Sequence, residues 1–154
     1  MWDYPRPPRL EPTTSRLRVE LGGVVLADTQ RAFRVLETSH PPAYYLPPSD
    51  CALDLFHEAD GSSWCEWKGS ATYWTVVVNA GTPDEATAER AAWSYRTPTP
   101  SFAPIADHFA FYPSVFDCFV DDERVTAQPG EFYGGWVTSA VVGPFKGAPG
   151  SSWW

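Results

Sequence analysis

The sequence predicts a mainly β chain of antiparallel strands folded as one domain, spanning residues 1–154, and three observations carry that expectation. At 154 residues the chain fits one domain, whose folding removes roughly 70% of the unfolded surface from water. Sixteen prolines and eleven glycines cut it into short pieces, and hardly any window sustains the 3.6-residue apolar repeat of a long helix. Residues 16–21, RLRVEL, instead alternate Leu17, Val19 and Leu21 against Arg16, Arg18 and Glu20, the period of a half-buried strand.

Ahead of that strand, residues 1–15 read as an extended N-terminal arm. Gly22 and Gly23 turn 16–27 into a hairpin, because glycine accepts the positive φ of a tight turn, and VVLA is its second strand. RAFRVLET (31–38) reads as strand in this context, although one helical turn fits its spacing as well. Four prolines in SHPPAYYLPPSD (39–50) predict an extended loop that pins Tyr44 and Tyr45. Alternation of Cys51, Leu53 and Leu55 marks DCALDLF as a short strand, and HEADGSS (57–63) reads as a turn. SATYWTVVVN (70–79), dense in β-branched and aromatic side chains, reads as a central strand. Past the Gly81-Thr82-Pro83-Asp84 turn, ATAERAAW (86–93) has a helical composition while AAWSY reads extended. Pro98, Pro100 and Pro104 then break the chain. FAFYP (109–113), FDCFVD (116–121) and RVTA (124–127) return to strands, with Asp121-Asp122-Glu123 as a charged hairpin tip. FYGGWVTSAVVG (132–143) closes the series, and 148–154 is a C-terminal tail.

Charge narrows the function classes. A net charge of -8, with no more than two lysines or arginines in any five residues, opposes a phosphate backbone or an anionic membrane surface as partner. A small anion held by one or two sheltered cations remains compatible, since a local field can differ from the net one. Cys51, Cys65 and Cys118 are odd in number and far apart, which predicts free thiols in a reducing compartment. The opening MWDYPRPPRLEP lacks the apolar stretch of a secretory signal, and runs such as VVLA and VVV are far too short to cross a bilayer. A soluble cytoplasmic protein is the expectation.

No CxxC, HxxxH or CxxH pairing occurs, so no metal is predicted. Neither GxxxxGK[ST], GxGxxG nor GxSxG is present, and no cofactor is predicted. Cys65 has Lys68 three residues on, yet a small hydrophobe in a strand explains it more simply. Asp121 and Asp122 read as turn residues, and Glu37 stands as a lone carboxylate before the tyrosine loop.

Aromatic residues and lysines remain. With eight Trp, seven Tyr and nine Phe, the rings either fill a small β core or wall a cleft. Such a cleft suits a planar or cationic ligand, or one with an apolar body and a charged end. Lys68 in CEWKGSA (65–71) and Lys146 in GPFKGAPG (143–150) each follow an aromatic residue and precede glycine. A lysine so placed can lay its stem on the ring and offer three donors to a carboxylate or phosphate, although each Lys-Gly also reads as an exposed turn.

The order DYPRPP, GGVVLADT, LETSHPPAYYLPP, CEWKGSATYW, AAWSY, FAFYP, FYGGWVT and GPFKGAPG resembles the bacterial domain-of-unknown-function family 427 through nearly the whole chain. A nucleotidyltransferase-like label sometimes attached to that family finds no phosphate loop followed by a carboxylate pair here. The resemblance implies two antiparallel sheets in a tent-like or open-barrel arrangement with little helix, a group in which other members hold zinc through cysteine pairs or capture ligands in an aromatic cage. The cysteine pairs are missing from this chain. The family's characteristic residues fall on Tyr45, Lys68, Gly69, Tyr73, Trp74, Trp93, Tyr95, Tyr112, Trp136, Lys146 and Gly147.

The leading expectation is thus a small-molecule-binding protein whose ligand has a planar or apolar body and an anionic group. Trp74, Trp93 and Trp136 would wall the cleft, Tyr73 and Tyr95 would join them, Tyr45 and Tyr112 would supply hydroxyls, and Lys68 and Lys146 would face one another across it. Were the cleft catalytic, Lys68 or Tyr45 would be the first proton-transfer candidate. The alternative is an interaction module whose exposed aromatics bind a partner protein or a second copy of the chain.

Overall fold

The computed structural model describes residues 9–36, 42–65, 69–127 and 135–138, with 61–65 and 69 in backbone alone. The first strand, β1 (Arg9–Pro12), lies in the segment expected to be an extended N-terminal arm. Next, β2 (Leu17–Leu21) buries Leu17 and Val19, as its alternation demands. Gly22 and Gly23, with φ of 56° and 81°, make the two-residue turn into β3 (Val24–Thr29), so the predicted hairpin forms. The predicted strand at 31–38 is β4 (Phe33–Leu36), which pairs with β1.

Three stretches differ from expectation. Tyr44 and Tyr45 lie in a short strand, β5 (Ala43–Tyr45), at the edge of the β1-β4-β5 sheet, where flanking prolines interrupt no central ladder. The stretch expected as a strand at 50–56 instead makes single 3-10 turns at Pro48–Asp50 and Leu53–Leu55. HEADGSS is no turn, because β6 (Phe56–Cys65) runs through it and absorbs the extra residues in a register shift between Glu58 and Ser62.

Its neighbour β7 (Gly69–Val78) is central, pairing with β6 on one side and β8 (Ala86–Ser94) on the other. The helical composition of ATAERAAW thus yields to pairing. After a 3-10 stretch at Pro100–Ile105 come β9 (Phe109–Phe111), β10 (Asp117–Val120) and β11 (Glu123–Arg124). Asp121 and Asp122, both with positive φ, form the tip between the last two. Two short strands, β12 (Thr126–Ala127) and β13 (Trp136–Val137), pair with each other.

The fold is mainly β and antiparallel, with several sheets among the described residues and no closed barrel. Two sheets have four strands, β6-β7-β8-β9 and β11-β10-β2-β3. Reciprocal backbone hydrogen bonds between Leu46 and Phe109, 2.8 and 2.9 Å, fasten the end of β5 to β9. The β6–β9 sheet is apolar on both faces. One face packs Val76, Val78, Phe109 and Phe111 against Leu17, Val19, Leu26 and Cys118. The other packs Ala71, Trp93 and Ala110 against Val35, Tyr45, Phe102 and Ile105. No described helix is long and apolar enough to cross a membrane.

Candidate functional site

Strand geometry decides which aromatic residues meet. Consecutive side chains on a strand point to opposite faces, so Tyr73 and Trp74 part company, as do Tyr44 and Tyr45. Five of the expected residues come together on the β4–β5 side of the central sheet: Tyr45 from β5, Tyr73 from β7, Trp93 and Tyr95 at the end of β8, and Tyr112 just after β9. The Tyr45 ring stands edge-on to Trp93 at 6.5 Å and tilted to Tyr95 at 6.2 Å. Trp93 and Tyr112 lie 4.6 Å apart, centre to centre. Tyr45, Trp93 and Tyr95 are buried, whereas Tyr73 and Tyr112 are half-buried and form the outer part of the cluster.

Among the described residues the cation at this cluster is Arg90, which the sequence reading passes over. Trp74 pairs with Ala92 and Val76 with Ala88, so residues 89–91 of β8 bulge opposite Thr75 alone. Arg90 occupies the bulge with φ of 51°, and its N–H donates to Thr75 Oγ1 at 3.2 Å. Bulges re-aim side chains, and here the guanidinium lies 4.9 Å from the centre of the Tyr73 ring. Arg9, Arg16, Arg18, Arg31, Arg34, Arg96 and Arg124 each pair with a carboxylate. Arg90 has no such partner among the described residues.

Two hydroxyls of the cluster are equally uncommitted. Tyr45 is 1% exposed, yet its Oη has no hydrogen-bond partner among the described residues, and neither has that of Tyr112. Burial pushes the Tyr112 phenol above its ordinary pKa; the neighbouring Tyr73 and Tyr45 add to the shift and the Arg90 charge opposes it. Tyr112 therefore remains a neutral donor at physiological pH. Two phenolic donors thus lie in a largely apolar corner whose outer edge, at Tyr73, carries the exposed Arg90 guanidinium. That is the equipment for holding an anionic or strongly accepting group at the end of a planar body.

The other expected residues lie elsewhere. Trp136 is 1% exposed in the main core, where its ring packs 5.0 Å from Tyr44 and its Nε1–H donates to the Phe111 carbonyl at 3.1 Å. It does not face Trp93. Trp74 is half-buried on the opposite face of the central sheet, 5.5 Å from Phe109, and donates its Nε1–H to Ser94 Oγ at 2.9 Å. Lys68, Lys146 and Glu37 lie outside the described residues, as do 1–8 and the tail at 148–154. Among the described residues no three His, Cys, Asp or Glu side chains gather as a metal site would require.

Two of the thiols are described, Cys51 half-buried and Cys118 buried. Cys51 and Cys118 are free, and burial pushes the Cys51 thiol up to about 12 and that of Cys118 higher still. Neither is a nucleophile at neutral pH.

A family model described as Domain of unknown function (DUF427) matches residues 9–123, a span that holds the whole tyrosine cluster together with Arg90. A search of curated proteins finds no match to the chain.

Proposed function

The chain belongs to the DUF427 family, whose match covers most of its length, and we propose that it binds a small molecule with a planar or apolar body and an anionic group at the Tyr45, Tyr73, Trp93, Tyr95 and Tyr112 cluster. The observation that carries this reading is Arg90. In a chain of 19 acidic and 11 basic residues, an exposed guanidinium on a left-handed bulge, set over the Tyr73 ring and paired with no described carboxylate, is free to meet a ligand's charge. Tyr45 and Tyr112 donate their hydroxyls to the same group, and Trp93 and Tyr73 flank the planar body. Lys68 and Lys146, outside the described residues, are the lysines that the sequence offers as further cations. Free thiols and a net charge of -8 fit a cytoplasmic protein whose ligand is a metabolite rather than nucleic acid or membrane.

A thermal-shift screen of planar metabolites, with nucleotides and short carboxylic acids included, tests the reading. Anionic ring compounds should stabilise the protein by about 2.7 kcal/mol at a hundredfold excess over their dissociation constants. Arg90→Gln, and by the same logic Lys68→Met, should abolish that shift while leaving the unliganded melting temperature nearly unchanged. Stabilisation that survives Arg90→Gln, or the absence of any anionic hit, refutes the proposal.

A further inference from the structure

The opposite face of the central sheet carries a cavity of about 340 Å3, within the range of small-molecule sites. Phe56, Trp74 and Phe109 make its aromatic wall, and Ser94, Arg96 and Asp107 supply its polar groups. Trp93 and Ser94 are neighbours on β8, so the sheet itself separates this cavity from the tyrosine cluster.

Its polar groups define the ligand. Ser94 is 2% exposed, and its Oγ accepts the Trp74 indole proton at 2.9 Å, which leaves its own O–H without an acceptor among the described residues. A buried donor in that state can give its proton to a carbonyl or similar oxygen that enters the cavity. Asp107, exposed at the rim in a left-handed conformation with φ of 61°, has no ion pair or side-chain hydrogen bond among the described residues, and its carboxylate can only accept. Arg96 stacks over Trp74, its guanidinium 5.5 Å from the ring centre, and is already paired with Glu58. Asp107 at the rim, with Glu58 already neutralising Arg96, leaves no free positive charge in the lining, which disfavours an anion.

We propose that this cavity is a separate binding site for a small, uncharged ring compound bearing an amide, whose carbonyl accepts from Ser94 Oγ–H and whose N–H donates to Asp107 while the ring packs between Phe56, Trp74 and Phe109. The site needs neither Arg90 nor the tyrosine hydroxyls, so it stands independently of the anion-binding reading.

Benzamide, benzoate and benzylamine, of similar size and differing in charge and donor pattern, test it by NMR titration of the 15N-labelled full chain. The readout is the Trp74 indole N–H, assigned by its disappearance in Trp74→Phe. Benzamide should move that resonance saturably and bind about tenfold tighter than either charged probe. Ser94→Ala and Asp107→Asn should each weaken benzamide about tenfold, whereas Arg90→Gln should leave it unchanged. Should Ser94→Ala fail to fold, Asp107→Asn carries the test, since asparagine tolerates the same left-handed backbone. Equal affinity for the three probes, preference for a charged one, a shift confined to other indoles, or no saturable shift up to the solubility of benzamide each overturns the proposal.

Discussion

Replacing Tyr45 by phenylalanine should make the unliganded protein more stable and its ligand binding weaker. The ring keeps its contacts with Trp93 and Tyr95, so packing is conserved. Only the hydroxyl goes, and at 1% exposure it lacks a described partner. A buried polar group left unpaired costs about 1–3 kcal/mol. Its removal should therefore raise folding stability by about 1 kcal/mol, which for a chain of this size lifts the melting temperature by roughly 2–4 °C. Urea unfolding should show a higher midpoint at an unchanged slope. Affinity for an anionic ring compound should fall about tenfold, the worth of one good hydrogen bond to a charged group. A loss of more than about 1 kcal/mol instead would mean that the hydroxyl holds the fold together, and the reasoning would fail.

Other expectations follow from the same geometry. Trp136→Phe should cost about 2–4 kcal/mol through the lost indole volume and the orphaned Phe111 carbonyl, yet leave ligand affinity unchanged; a binding defect at preserved stability would return Trp136 to the site. Hydrogen bonds from Arg31 and then Thr29 hold the Asp50 carboxyl below its ordinary pKa, so its contribution to stability is complete above the unfolded value near ~3.9 and is lost as pH falls through the lower folded value. Melting curves of Asp50→Asn should accordingly lie below wild type at neutral pH and converge with it in acid; a constant gap across that window contradicts the assignment. In a Cys65→Ser background, native protein should resist a thiol-specific maleimide at pH 8 and take up two labels once unfolded, because Cys118 is buried, Cys51 is half-buried, and both have raised pKa values. Rapid native labelling would refute the protection of these thiols.

Much of the strand pattern is legible in the sequence, because local signals and tertiary pairing agree there. The 16–27 hairpin, the central strand at 70–79 and the Asp121-Asp122 tip rest on alternation and turn chemistry that the fold keeps. Disagreement arises where pairing overrides composition. Ala86–Ser94 has the residues of a helix but buries Ala88 and Ala92 against Val76 and Trp74 of β7, and HEADGSS has the residues of a turn but continues a ladder by bulging. The candidate site is half legible. Its tyrosines and Trp93 are rings that the sequence singles out, yet Tyr73-Trp74 are adjacent in a predicted strand, so their alternation already forbids a shared face. Trp136 is hidden for a different reason, since only long-range packing tells a core ring from an exposed one. Arg90 could not be read as a site residue from a segment of helical composition. The one clue is a break in the apolar alternation between Ala88 and Ala91, which is where the bulge lies.

A crystal structure of the protein with its most stabilising anionic ring compound bound tests the central claim most directly. The ligand's charged group should lie about 3 Å from the Arg90 guanidinium and from the hydroxyls of Tyr45 and Tyr112, with its ring against Trp93. An anion seated away from Arg90, with both hydroxyls still unengaged, would contradict the account.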